Sequence, residues 1–146
     1  MEAIMTTITD DRQEELIVVL AQFTGTTTYH RNFFNKRFFH TDGIQALAEK
    51  AQAFWLIDAI CSHQPKALRH KLDGSQLREF QLWKLTVNSD QTACLECSPD
   101  SDAEKPSIRQ RIPFTDFPLQ QIKLYVERGE DPDLGLYYCL LLPSEH

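Results

Sequence analysis

The sequence predicts an α+β domain in which N-terminal helices pack on one face of a C-terminal antiparallel meander sheet of four to five strands. Three observations predict it. Apolar residues recur at helical spacing before Pro65 and alternate with polar ones from Phe80 onward. The helical patterns all come first, which is the order of an α+β domain rather than of repeated βαβ units. The alternating stretches are joined by short connections rich in Pro, Gly, Asn and Asp, as hairpins require.

A chain of 146 residues with 42% apolar and 25% charged residues has the size and composition of one globular domain with its own core. A single domain spanning 1–146 is therefore expected, with residues 1–8 a loose tail. From Asp11, a capping box with Glu14 opens a helix to about Gln22, with Leu16, Val19, Leu20 and Phe23 on one stripe. Gly25 and the surrounding threonines end it. His30 to His40, HRNFFNKRFFH, fits neither period and reads as a loop with a short helix, its phenylalanines plugging the core.

Thr41 is the expected N-cap of the main apolar run, with Asp42 and Gly43 in the first turn. Ile44, Leu47, Ala48, Ala51 and Trp55 form its stripe, and Phe54, Ile57, Ala59 and Ile60 widen it most of the way round. The run is one long helix or two that break near Lys50 to Ala53. Pro65 is expected to close it. Lys66 to Ser75 is a basic connector ending in an Asp73-Gly74 turn.

Strands are predicted at Phe80 to Val87, Thr92 to Cys97, and Ile108 to Ile112. A fourth runs through Ile122, Leu124 and Val126, and a fifth from Leu136 to Leu142. The fifth is almost entirely apolar, so it is expected to be central or covered on both faces. Pro113 and Pro118 bound a rigid corner.

Net charge is −6, which disfavours a nucleic-acid partner. The charge is unevenly spread, however. His30 to Lys84 holds nine Lys and Arg against five Asp and Glu. The N-terminus carries acids and no apolar leader, and no run approaches the roughly 20 apolar residues that span a bilayer. The expected compartment is the cytoplasm, with the four cysteines reduced.

The candidate functional residues are few. Asp58 lies within the apolar run, where a buried carboxylate needs a partner or a cleft. It is a candidate base, and equally an acid bonded to structure. His63 follows five residues later, about 140° round a helix and so on another face. Asp116, at the proline-bounded corner, is a further candidate acid, or a turn residue satisfying its own backbone. Trp55 beside Asp58, and the cluster of His30, Arg31, Lys36, Arg37 and His40, are candidate ligand-binding residues. The basic aromatic cluster would suit a nucleic acid by stacking and phosphate contacts. The plainer reading puts its phenylalanines in the core. Cys94 and Cys97 form one C-x-x-C in a predicted strand, where such positions face opposite ways. A tetrahedral zinc site needs two more ligands, and no spacing supplies them. No metal site and no cofactor are expected.

Several phrases occur together in order: Phe23-Thr24-Gly25-Thr26, Thr41-Asp42-Gly43, Ala53-Phe54-Trp55-Leu56-Ile57-Asp58-Ala59-Ile60, Phe80-Gln81-Leu82-Trp83-Lys84-Leu85, Phe114-Thr115-Asp116-Phe117-Pro118-Leu119 and Leu142-Pro143-Ser144-Glu145-His146. In combination they resemble a family of small bacterial proteins, found in cyanobacteria and on phage and plasmid sequences, that is known only as a domain of unknown function. The resemblance covers nearly the whole chain from Phe23. It implies a self-contained cytoplasmic domain carried on a mobile element, and no catalytic residue. In the family pattern a glycine tends to sit near Gln52, which favours a helix break there, and this chain lacks it.

The leading expectation is a non-enzymatic binding or regulatory module with a protein partner, a second copy of the chain included, because the apolar last strand needs cover. The alternatives are an enzyme of unassigned type with its site near Asp58, and a nucleic-acid binder using 30–40.

Overall fold

A computed structural model of the chain describes residues 2–25 and 28–146, with side chains from residue 11 onward. Helix α1 (Glu2–Ala21) is followed by strands β1 (Tyr29–Arg31) and β2 (Phe38–Thr41). Helices α2 (Asp42–Ala51), α3 (Phe54–Ser62), α4 (Gln64–Leu68) and α5 (Gly74–Leu77) come next. Strands β3 (Phe80–Val87), β4 (Ala93–Ser98), β5 (Ile108–Ile112), β6 (Gln121–Asp131) and β7 (Gly135–Leu141) complete the sheet, and a 3-10 turn, Pro143–Glu145, closes the chain.

The fold is α+β, but the sheet has seven strands in the order β1-β2-β7-β6-β3-β4-β5 and is mixed. Only β3, β4 and β5 form a meander. Strand β6 returns to the free side of β3 and makes a hairpin with β7. Strand β2 then pairs parallel to β7, with Phe38 opposite Tyr138 and His40 opposite Leu140. The expected four to five antiparallel strands therefore miss β1 and β2. Strands of three and four residues are too short to display alternation, and a pairing partner 100 residues away fixes them. The apolar β7 lies between β2 and β6, so the cover it needs comes from its own chain.

The turn between β1 and β2 is built by two asparagines. Asn32 Oδ1 accepts from the backbone N–H groups of Phe34 and Asn35 at 2.8 and 3.1 Å, and Asn35 Oδ1 accepts from Arg37 N at 3.0 Å. It corrects the core assignment of the phenylalanines. Phe38 is wholly buried, and Phe39 points to the other face of the sheet. Phe33 and Phe34 are 90% and 84% exposed at the hairpin tip.

One face of the sheet carries the core. Trp83 and Leu85, Leu95 and Cys97, Leu124 and Val126, and Leu140 alternate inward. They form one cluster with Ile44, Leu47, Leu56, Ile57 and Ile60 of α2 and α3. Burial of each large side chain is worth about 1.5–3 kcal/mol, so this layer dominates the stability. Beneath it, Gln64 and Gln81 exchange reciprocal amide bonds at 3.0 and 2.9 Å, and the Trp83 indole donates to Gln81 at 2.8 Å. No amide in that group is left without a partner, which makes its burial tolerable.

Helix α1 begins at Glu2 rather than Asp11, so residues 2–8 are helical where a tail was expected; Met1 lies outside the described residues. Leu16 is buried, with Leu20 and Phe23 packed against the core. The apolar run is two helices. Thr41 caps α2, accepting from Ile44 N at 3.3 Å, and the helix stops at Gln52, which is left-handed at φ 52, ψ 47. Pro65 does not close the run. It sits in the first turn of α4, where a missing N–H costs nothing.

The C-terminal turn bolts the sheet to α2. Thr41 Oγ1 donates to Glu145 Oε1 at 2.6 Å, Leu142 N donates to the same oxygen at 2.9 Å, and Gly43 N donates to Oε2 at 3.1 Å. A Cβ on Gly43 would lie 2.6 Å from both Glu145 Oε1 and Leu142 Cδ1, so only glycine admits the carboxylate.

Gln52 is exposed and holds a backbone conformation that glycine adopts freely. Gln52→Gly is expected to stabilise the protein by roughly 0.5–1 kcal/mol, read from urea unfolding. An unchanged or lower midpoint would contradict the strain assigned to this helix break.

Candidate binding site on the outer face of the sheet

The face of the sheet opposite the core is left open by the described residues at the β1–β2–β7–β6 end, where it forms a groove. Its walls follow from register. Arg31 of β1 is opposite Phe39 of β2, and Gly129 of β6 is opposite Tyr137 of β7. All four project to the outer face because His30, Phe38, Tyr138 and Leu140 take the alternate positions. Gly129 sets the floor. The Tyr137 ring lies across it and occupies the place a Cβ would take. Phe39 meets Tyr137 edge to face at 5.4 Å, and the Arg31 guanidinium stands 5.4 Å from the centre of the Phe39 ring.

The turn after β6 supplies acids. Asp131 Oδ1 accepts from the N–H groups of Asp133 and Leu134, both at 2.9 Å. These two bonds hold the Asp131 carboxyl below the usual carboxylate range, with a smaller contribution from Arg31. Asp131 and Asp133, together with Tyr29, Arg31, Phe39 and Tyr137, line a cavity of about 670 Å³. That volume lies within the roughly 300–1,000 Å³ of small-ligand and side-chain pockets. A smaller cavity of about 150 Å³ shares Tyr29 and Tyr137 and leads to Glu127 and Cys139.

The reactive groups along this groove are muted. Burial, then the neighbouring Cys139, raises the Tyr29 phenol above its ordinary value. Burial, then Glu145 and Glu127, pushes the Cys139 thiol up to about 12. Both stay protonated at neutral pH, so neither is poised as base or nucleophile. The lining offers aromatic faces, one guanidinium and two carboxylates.

The residues singled out from sequence are scattered. Asp58 is exposed, not buried, because α3 turns Leu56, Ile57, Ile60 and Cys61 inward and leaves Asp58 on its outer side. His63 Nε2–H donates to Gln110 Oε1 at 2.6 Å, and the ring stacks on Trp83. Trp55 is half-buried against the core. Asp116 is exposed and lines a cavity of about 290 Å³ that contains none of Asp58, Trp55 or His63. Lys36 and Arg37 are exposed at the hairpin tip, and Arg31 alone of that basic cluster lines the groove.

His30 and His40 face α2 instead. Their rings stack at 4.9 Å, with His30 Nε2 on Asp42 Oδ1 at 3.1 Å and His40 Nε2 on Gln45 Oε1 at 2.6 Å. His40 is 8% exposed, and its Nδ1 has no hydrogen-bond partner among the described residues. Cys94 and Cys97 face opposite sides of β4. Cys94 accepts from Arg109 Nε at 3.2 Å, and burial pushes Cys97 up to about 12. No three His, Cys, Asp or Glu side chains among the described residues gather as metal ligands.

Sequence reasoning missed Tyr29, Phe39, Tyr137, Asp131 and Asp133. One signal was present. Gly129 lies in a stretch, Arg128 to Asp133, that reads as a turn; β6 in fact runs through it to Asp131, and a glycine inside a strand marks close approach of another group, here Tyr137.

The family model described as Family of unknown function (DUF6876) matches residues 14–146, which include every residue of the groove. No curated protein and no solved structure matches the chain.

Burial holds the His40 imidazole below its ordinary pKa. Gln45 and, more weakly, Asp58 oppose that lowering, and His30 adds to it. Below about pH 6.5 the unfolded chain takes up a proton that folded His40 refuses, so stability falls as the pH drops through this range. His40→Gln should flatten the fall between about pH 7.5 and 5.5, by at most about 1.4 kcal/mol per pH unit, in paired urea titrations. Parallel slopes for both proteins would contradict it.

Proposed function

We propose that this chain, which belongs to the family of unknown function DUF6876, is a non-enzymatic binding or regulatory module that holds a protein partner in the outer groove. The observation that carries this reading is the groove itself, where three aromatic rings and two turn carboxylates line one open cavity. Aromatic walls take an apolar or aromatic side chain, and Asp131 and Asp133 take a basic one. The preferred ligand is a protein segment that joins an aromatic residue to Lys or Arg.

The enzyme reading has less support, because Asp58, His63 and Asp116 do not converge on one cavity. A phosphate backbone suits the groove poorly, since carboxylates line it and the chain carries a net charge of −6. No helix among the described residues is long and apolar enough to cross a membrane. A cytoplasmic, bacterial setting with carriage on mobile elements belongs to the same reading, and rests on the phrases shared with the family.

Titrating isotope-labelled protein with short peptides that combine Phe or Trp with Lys or Arg tests the reading. Amide shifts are expected to cluster on Tyr29, Arg31, Phe39 and Tyr137. Asp133→Lys should weaken binding by about tenfold through loss of one charge pair and gain of a like charge. Shifts centred on Trp55 and Asp58, or no peptide binding below about 1 mM, would overturn it.

A further inference from the structure

The hairpin tip has the chemistry that the groove is built to receive. Phe33 and Phe34 stand 90% and 84% exposed, edge to face at 5.2 Å, with Lys36 and Arg37 beside them. The asparagine turn holds this display in place before any partner arrives. Two aromatic rings and two cations on the tip match aromatic walls and two carboxylates in the groove. In the single molecule the tip stands in solvent and the groove is open, so the tip does not fill the groove of its own chain.

Resting on the binding reading above, we propose that the groove's occupant is the Phe33–Arg37 tip of a second copy of this chain, exchanged reciprocally between two protomers. Tip and groove share one end of the sheet. Strands β2 and β7 run parallel and begin there, β2 just after the tip and β7 just after the turn that carries Asp131 and Asp133. A two-fold axis at that end lets each protomer give its tip and receive the other's, which closes the assembly at two. Each buried Phe removes on the order of 150–250 Å² from water, so four rings remove roughly 600–1,000 Å². The groove walls they cover bring the total to about the 1,200–2,000 Å² of a specific interface. The partner copy thus completes a site that one chain leaves empty. An anionic lipid surface or a single-stranded nucleic acid would also meet the tip's bases, but the chain's net charge of −6 and the acidic groove beside the tip oppose both.

Sedimentation velocity of the full chain across about 1–500 µM decides it. The wild type is expected to be a dimer over the upper part of that range. The double variant Phe33→Ser/Phe34→Ser, which changes exposed rings only, should weaken dimerisation by at least about tenfold. Asp133→Lys should do likewise, and Lys36→Asp in the same chain as Asp133→Lys should restore a dimer by swapping the charge pair. A wild type that stays monomeric throughout, or a dimer indifferent to the phenylalanine pair, would overturn the proposal. Co-sedimentation of a monomeric wild type with phosphatidylserine vesicles, or its binding to oligo-dT, lost in the phenylalanine variant, would overturn it in favour of those partners. A monomer whose groove still binds aromatic basic peptides would overturn self-exchange and leave the binding reading standing.

Discussion

The architecture depends on one carboxylate. Glu145, the penultimate residue, is buried at the junction of β2 and α2, and accepts from Thr41, Gly43 and Leu142. Thr41 Oγ1 accepts from Ile44 N while donating to Glu145, so the cap of α2 and the anchor of the C-terminus are one hydrogen-bonded unit. An anion at a helix N-terminus is stabilised by the unsatisfied N–H groups there. Here that local preference closes the whole chain, since it joins residues more than 100 positions apart.

Much of the rest follows from that closure. Leu142 and the Pro143–Glu145 turn follow β7, and Thr41 ends β2, so the clasp holds the parallel β2–β7 pair at one end. Parallel neighbours cannot be set by a tight turn, and their register needs such a distant tie. With β2 fixed on β7, Phe39 meets Tyr137, Arg31 settles over Phe39, and the groove acquires its walls. With β2 fixed on α2, His30 and His40 are committed to the helical side, away from the groove. The same hairpin thus gives its alternate residues to contacts with α2 on one face and to the walls of the groove on the other.

Legibility tracked the distance over which a signal acts. Phe80–Val87 and Ile108–Ile112 are strands with the bounds their alternation predicts, and Thr41 caps a helix as its side chain and position suggest. Local pattern suffices there. The segment from His30 to His40 defeated that reasoning because its strands are held by β7 and its turn by asparagine side chains. Asp58 was misplaced for another reason. The run reads as one helix or two with a break near Lys50 to Ala53, and only the break observed at Gln52 sets which side of α3 faces the core. The groove was hidden because its residues come from four strands that only the topology brings together. Gly129 was its one local trace, hidden because Arg128 to Asp133 reads as a turn where β6 continues to Asp131.

The central claim, that the Glu145 clasp holds the β2–α2 junction, is tested most directly by the unfolding free energy of Glu145→Ala against wild type in urea. Three buried donors lose their acceptor, at about 1–3 kcal/mol each before relaxation, so a loss of roughly 3–5 kcal/mol is expected. Amide exchange at Gly43 and Ile44 should quicken in the same variant. A loss below about 0.5 kcal/mol, the range of ordinary surface substitutions, would contradict the account.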